Sequence, residues 1–214
     1  MNATSHAKCG GVIIAGGRAT RMGGVEKPFL KLNGRTIIDK LLECVRPQVD
    51  ALAIDVREPS RDRYHALQAT GVRILSDPFR GEVGPLGGII GGLRWLETLD
   101  GDFAWLATFP GDTPFLPRDL VDRLLASARE GKSKPVVAVD ADGVQSLCAL
   151  WPRCCLTDLT KCVTEAGLRS VRTALQLFDT ISCEFHAQHA FTNINTEHDL
   201  ADAERLLQNA SGIH

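Results

Sequence analysis

Residues 12–27 read VIIAGGRATRMGGVEK, an apolar run followed by a loop with paired glycines near both of its ends. The apolar run is typical of a buried strand. Gly16 and Gly17 let the backbone turn tightly and bring its N–H groups close to a ligand. The loop also carries three cations, Arg18, Arg21 and Lys27. This pattern favours binding of the phosphates of a nucleoside triphosphate.

A glycine-rich turn after a first strand also has a plain structural explanation, because many α/β domains must bend there. The two glycine pairs bracket several cations within a dozen residues, which favours a phosphate-binding loop instead. The loop lacks the G-x-x-x-x-G-K-[ST] pattern of Walker A and the G-x-G-x-x-G pattern of dinucleotide folds. P-loop ATPases and nicotinamide dehydrogenases are therefore disfavoured.

The composition sets the broad class of the protein. The chain has 214 residues, of which 44% are hydrophobic, so we expect one domain over residues 1–214 with residues 1–9 as a flexible tail. A net charge of −2 argues against a nucleic-acid partner. We expect no membrane partner and a cytoplasmic location, because no apolar run approaches bilayer length and no hydrophobic signal core is seen. The seven cysteines are typical of buried thiols in a reducing compartment.

Strand-like and helix-like segments alternate along the chain. This alternation predicts an α/β protein with a Rossmann-like three-layer α/β/α architecture and a mostly parallel sheet. The predicted strands cover residues 11–15, 51–56, 72–75, 103–109, 136–139, 145–151, 180–185 and 191–195. The predicted helices cover residues 36–45, 61–70, 85–99, 118–130, 154–166, 170–178 and 197–208. Ligands of such sheets bind outside the C-terminal ends of the strands.

Acidic residues lie at or just after the ends of three of these predicted strands, at Asp55, Asp77 and Asp112. Asp112 is fixed between Gly111 and prolines, and a carboxylate there is suited to hold Mg²⁺ that bridges to nucleotide phosphates. It could instead form an Asx turn or cap the next helix. Asp55 could accept hydrogen bonds from a base or ribose.

Asn193 and Asn195 lie two residues apart on the last predicted strand, and therefore on one face of it. They could position a second substrate or complete the Mg²⁺ shell, or Asn195 could simply start the last helix. Local sequence leaves these two interpretations open.

Together these segments resemble the molybdenum cofactor guanylyltransferase (MobA-type) family of the nucleotidyltransferase superfamily. The resemblance rests on four blocks in this order: residues 14–27, Gly84-Pro85-Leu86-Gly87-Gly88, Asp112-Thr113-Pro114-Phe115-Leu116-Pro117, and Asn193-Ile194-Asn195-Thr196. It spans roughly residues 10–207 and implies the fold of nucleotide-diphospho-sugar transferases. The family joins GMP from GTP to the terminal phosphate of molybdopterin, or of its molybdenum-loaded form, and releases pyrophosphate.

The resemblance also implies roles for individual residues. The backbone of Ile14, Ala15, Gly16 and Gly17 would bind the nucleotide, with Lys27 at its phosphates. Asp55 and Asp77 would hold the guanosine part, Asp112 would bind both nucleotide and Mg²⁺, and Asn193 and Asn195 would face the pterin phosphate. Arg21, Lys27 and Asp112 are the expected catalytic residues. Molybdoenzyme-maturation proteins are candidate partners.

The sequence departs from the family pattern at two positions of interest. Glu26 stands where an Asp is usual, and Asp55 stands where an Asn is common. A carboxylate can still accept from the N1–H and N2–H₂ donors of guanine. Two alternatives stay open at this stage: a cytidylyltransferase that acts on the same pterin, and a sugar-phosphate nucleotidyltransferase. A non-catalytic nucleotide-binding regulator is disfavoured by Asp112.

Overall fold

The computed structural model describes residues 7–15, 21–22, 25–56, 61–79, 82–128, 133–187 and 189–211. Its strands are β1 Lys8–Ile14, β2 Arg21–Met22, β3 Val25–Glu26, β4 Lys31–Leu32, β5 Arg35–Thr36, β6 Ala51–Val56, β7 Arg73–Ser76, β8 Phe103–Pro110, β9 Val136–Asp140, β10 Gly143–Pro152 and β11 Ile181–Glu184. Its α-helices are α1 Ile37–Val45, α2 Arg61–Gln68, α3 Pro85–Leu96, α4 Leu120–Ala128, α5 Leu156–Thr164, α6 Val171–Leu177 and α7 Glu197–Ser211.

Seven of the described strands form one central sheet in the order β11-β9-β10-β8-β1-β6-β7. The pairs β1–β6, β1–β8, β6–β7 and β9–β11 are parallel, whereas β10 is antiparallel to both of its neighbours. The remaining six strands of this sheet therefore all point the same way, and their C-terminal ends meet at one edge. The predicted three-layer, mostly parallel fold is confirmed.

Helices cover both faces of the sheet, which explains why the central strands are mostly apolar, with Asp55 of β6 and Thr108 of β8 as buried polar exceptions. Successive residues of β1 point to opposite faces. Ile13 packs into a core cluster with α1 and α4, and Val12 and Ile14 pack into a second cluster with α3, α5 and α6. The buried strand predicted at the start of the loop is thus held on both sides.

A smaller cluster anchors the end of the chain. Leu32, Ile37, Ile194 and Ala203 are all fully buried there, so that α7 and the segment before it pack on β4 and α1. None of the described helices has the length and apolar composition needed to cross a bilayer.

Two sequence predictions differ from this structure. Residues 191–195 form no strand. Their two buried residues, Phe191 and Ile194, lie three positions apart and anchor the segment in different core clusters. β1 begins at Lys8, inside the predicted tail of residues 1–9. The backbone N–H of Cys9 donates to a carboxylate oxygen of Asp50 at 2.8 Å, which extends the ordered strand toward the N-terminus.

Candidate active site

The C-terminal end of β1 lies where the order of strands in the sheet reverses, with β6 on one side and β8 on the other. Open α/β sheets bind their ligands at such a position. The N–H of Ala15 donates to the carbonyl of Asp55 at 3.0 Å, and the N–H of Gly111 donates to the carbonyl of Ile14 at 3.1 Å. A Cβ on residue 111 would lie 3.0 Å from that Ile14 oxygen. Close approach of this kind favours glycine.

Lys27 lies beside this edge although its side chain is almost fully buried, with 7% of its surface exposed. Its ammonium Nζ donates to Oδ1 of Asn195 at 2.7 Å. Burial raises the pKa of Asp112, and the charge of this ammonium partly offsets that rise, so the two groups interact electrostatically. A cation from the first loop, an acid from β8 and an amide near the end of the chain therefore come together.

Thr113 joins the second asparagine to this group. Its fully buried hydroxyl donates to Oδ1 of Asn193 and lies 3.4 Å from Oδ1 of Asp112. The N–H of Ile194 donates to the carbonyl of Asp112 at 2.9 Å. Thr113 was missed by the sequence analysis, since a threonine between Asp and Pro resembles an ordinary turn residue.

A reciprocal cap at the start of α7 fixes Asn195. The backbone N–H groups of Asn195 and Thr196 donate to Oδ2 of Asp199 at 2.8 and 2.9 Å. The N–H of Asp199 donates to the hydroxyl of Thr196 at 3.1 Å, as in a capping box. Thr196 therefore caps α7, and Asn195, which adjoins this helix start, also accepts a hydrogen bond from Lys27.

Burial raises the pKa of Asp112, and the charge of Lys27 opposes that rise. Its carboxyl is a hard oxygen ligand at the end of a strand, which suits Mg²⁺ better than softer metals. Within the described ranges, no group of three or more Cys, His, Asp or Glu side chains could hold a metal ion.

Asp55 and Asp77 form a second group on the other side of β1. Both lie against glycines in the first turns of α3. A Cβ on residue 88 would lie 2.6 Å from Oδ2 of Asp55, and one on residue 87 would overlap the carboxylate of Asp77. The absence of side chains at these two glycines therefore leaves room for the two carboxylates.

An open cavity of about 610 Å³ lies at the same edge of the sheet, beyond β8. β9 and β11 end there at Asp140 and Glu184, and His186 and His189 line the cavity with them. His189 precedes Asn193 by four residues, so the cavity adjoins the asparagine segment.

The structure thus brings Lys27, Asp112, Asn193 and Asn195 into one group, and Asp55 and Asp77 into another, with Ile14 and Ala15 between them. Gly16 and Gly17, and the side chain of Arg21, lie outside the described residues. The described backbone of Arg21 pairs with Glu26 in the β2–β3 hairpin.

The sequence model of the MobA-like NTP transferase domain matches residues 11–180. This chain belongs to the MobA-like NTP transferase family. A molybdenum cofactor guanylyltransferase from Mesorhizobium japonicum is 37% identical to it over 204 residues, which cover 92% of this chain and 95% of that protein. The family resemblance in the sequence is therefore confirmed.

Solved structures share the fold of this MobA-like NTP transferase. The molybdopterin-guanine dinucleotide biosynthesis protein A of Archaeoglobus fulgidus aligns with a TM-score of 0.73 and 20% identity, covering 94% of this chain and 99% of that one. A Mycobacterium tuberculosis protein, solved as a complex with manganese, aligns with a TM-score of 0.64 and 17% identity, covering 93% and 98%.

Proposed function

We propose that this chain transfers GMP from GTP to the terminal phosphate of molybdopterin, or of its molybdenum-loaded form, and releases pyrophosphate. The observation that carries the proposal is the convergence of Lys27, Asp112 and Asn195 beside the end of β1. The shared name of the relatives favours guanylyl transfer over the cytidylyl and sugar-phosphate alternatives.

The two groups of side chains suit the two substrates. We assign the triphosphate to the backbone at Ile14 and Ala15 and to the loop that contains Gly16 and Gly17, with guanosine toward Asp55 and Asp77. The second substrate is assigned to Asn193 and Asn195, with its pterin toward the neighbouring cavity. Pterin carries N–H donors like those of guanine, which carboxylates such as Asp140 and Glu184 can accept.

In the reaction, an oxygen of the pterin phosphate attacks the α-phosphorus of GTP. One P–O bond forms, the bond between the α-phosphorus and the bridging oxygen breaks, and pyrophosphate leaves. Lys27 and Arg21 would neutralise the charge that develops on the leaving group. The attacking phosphate is already ionised near neutral pH, so we assign no general base. Catalysis rests on positioning and electrostatics.

Asp112 is the residue that would hold Mg²⁺, which would supply positive charge between the two anionic substrates. The position of Asp112 fits this role. The preceding residue, Gly111, donates to the carbonyl of Ile14 at the end of β1, and Asp112 itself accepts from the N–H of Ile194, which lies between Asn193 and Asn195. Mg²⁺ is commonly bound by one or two carboxylates together with phosphates and water.

The test is release of pyrophosphate from purified protein given Mg²⁺, molybdopterin and either GTP or CTP. We expect turnover with GTP only, and Asp112→Asn should lower it at least about 100-fold, because one anionic ligand is lost. Asp100→Asn, at an exposed loop position, is the matched control. Turnover with CTP alone would transfer the assignment to the cytidylyl alternative, and GTP binding without turnover would favour a regulator.

A further inference from the structure

Asp55 is a buried acid that the proposed chemistry does not use directly. Only 4% of its surface is exposed. Among the described residues, its Oδ1 atom has no hydrogen-bond partner. A buried ionised oxygen without a partner is costly, whereas a protonated carboxyl reduces that cost. The position therefore favours the neutral form of the side chain.

The surroundings of Asp55 supply no described positive charge. β1 contributes Ile14 and β7 contributes Leu75, which is its neighbour in register. The first turns of α3 contribute glycines. The charged group that acts on Asp55 is Asp77, another acid, and burial together with this like charge raises the pKa of Asp55 to about 8.

Asp55 is also connected to the phosphate loop through its own backbone. Its carbonyl accepts the N–H of Ala15 at 3.0 Å, and its Oδ2 atom faces Gly88 of α3 without room for a Cβ. Ionisation of Asp55 would therefore place a negative charge at a tightly packed contact between β6, the start of the loop and the first turns of α3.

We propose that Asp55 and Asp77 hold one proton between them at neutral pH, on Asp55, and that this form of the pair binds the guanosine half of GTP. The inference rests on the proposed function and makes Asp55 a positioning residue. Asp77 is then the member of the pair that accepts the base donors, and the proton on Asp55 limits repulsion beside a polyanionic ligand.

The proposal predicts how GTP affinity changes with pH. The protonated fraction of Asp55 falls to about one half at pH 8 and to about one eleventh at pH 9. Relative to its value well below pH 8, the apparent Kd should therefore be about twofold higher at pH 8 and about tenfold higher at pH 9. Asp55→Asn keeps a neutral side chain with one donor and one acceptor face. Its GTP affinity should show only the pH dependence that the nucleotide itself contributes.

Calorimetric titration with Mg²⁺ and GTP at pH 6.5, 8 and 9 measures this difference. We expect wild type to lose about tenfold more affinity than Asp55→Asn at pH 9, and Asp55→Asn to bind more tightly than Asp55→Ala at pH 6.5. Equal pH dependence in wild type and Asp55→Asn would overturn the proposal. So would an Asp55→Asn variant as weak as Asp55→Ala.

Carbon NMR of the aspartate carboxyls tests the proton without any nucleotide. The Asp55 signal, assigned by its loss in Asp55→Asn, should titrate near pH 8, and at a lower pH in Asp77→Asn, where the like charge is gone. Titration below pH 5 in the wild-type protein would refute the shared proton. If the wild type bound no GTP at any pH, the proposed function would fail, while a midpoint near pH 8 would still support the shared proton.

Discussion

Two glycines of α3 allow a sharp test of the carboxylate packing. Gly88→Ala places a methyl group 2.6 Å from Oδ2 of Asp55 and 2.8 Å from Cδ1 of Ile14. Both neighbours are buried in central strands, so neither can move away easily. Gly91→Ala, three residues later in the same helix, meets Cδ of Pro78 at 3.4 Å and the carbonyl oxygen of Ser76 at 4.0 Å, which are ordinary contacts.

The magnitudes follow from the two environments. Alanine is favoured over glycine in a helix by about 1 kcal/mol, and both variants gain this amount. Overpacking in a buried site costs about 1–3 kcal/mol, and only Gly88→Ala incurs it. We therefore expect Gly91→Ala to raise the free energy of unfolding. The free energy of unfolding of Gly88→Ala should be about 1–3 kcal/mol lower than that of Gly91→Ala.

Urea unfolding followed by tryptophan fluorescence measures this difference, because Trp95 and Trp151 are buried in the cluster that packs on α3. The Asp55→Ala background should reduce the cost of Gly88→Ala, since the carboxylate that the methyl meets is gone. Two outcomes would refute the reasoning: equal stability of the two alanine variants, or an unchanged cost in the Asp55→Ala background.

Three further predictions concern the same edge. Asp55 keeps its proton up to about pH 8 in the folded protein but only up to about pH 4 in the unfolded chain. As the pH rises between these two values, the free energy of unfolding of the wild type should therefore fall relative to that of Asp55→Asn, by at most about 1.4 kcal/mol per pH unit. Urea unfolding at pH 5 and 7.5 measures this difference, with Asp100→Asn as control. Thr113→Val should lower the free energy of unfolding by about 1 kcal/mol and raise KM for molybdopterin more than KM for GTP, because Asn193 loses a buried donor. Lys27→Met should reduce pyrophosphate release at least about 100-fold, whereas Lys31→Met, at an exposed lysine, should not.

The positions of Lys27 and Asp112 could be anticipated from sequence, because strand direction alone brings the ends of β1 and β8 to one edge. The same reasoning placed Asp55 and Asp77 there. Strand direction does not show that Lys27 and Asp112 form one group and Asp55 and Asp77 another, since that separation depends on which side of β1 each strand occupies. Strand order is set by contacts far apart in the chain, and periodicity within one segment does not report them.

Asn193 and Asn195 show a different limit. Their joint position was expected from a strand, but the structure reaches it through a coil held by Ile194 and by the cap at Asp199. Phe191 and Ile194 lie three residues apart and are buried in two different clusters, so this segment is held by side-chain packing and not by pairing in a sheet. Thr113 carried no local signal at all, because the burial of its hydroxyl depends on the distant asparagine segment.

Burial raises the pKa values of two acids at this edge, but the charged neighbours of the two acids act in opposite directions. Asp55 and Asp112 lie at or just beyond the ends of the two strands that flank β1, and burial is the main cause that raises the pKa of each. Their neighbours differ, because Asp55 faces the like charge of Asp77 and Asp112 faces the opposite charge of Lys27. Like charge favours the neutral carboxyl and opposite charge favours the ionised one. The proposed neutral Asp55 would limit repulsion beside the polyanionic nucleotide, whereas the charge of Lys27 favours the ionised form of Asp112, which can receive a cation. The assignment of separate roles to the two acids therefore depends on Lys27 and Asp77 more than on the acids themselves.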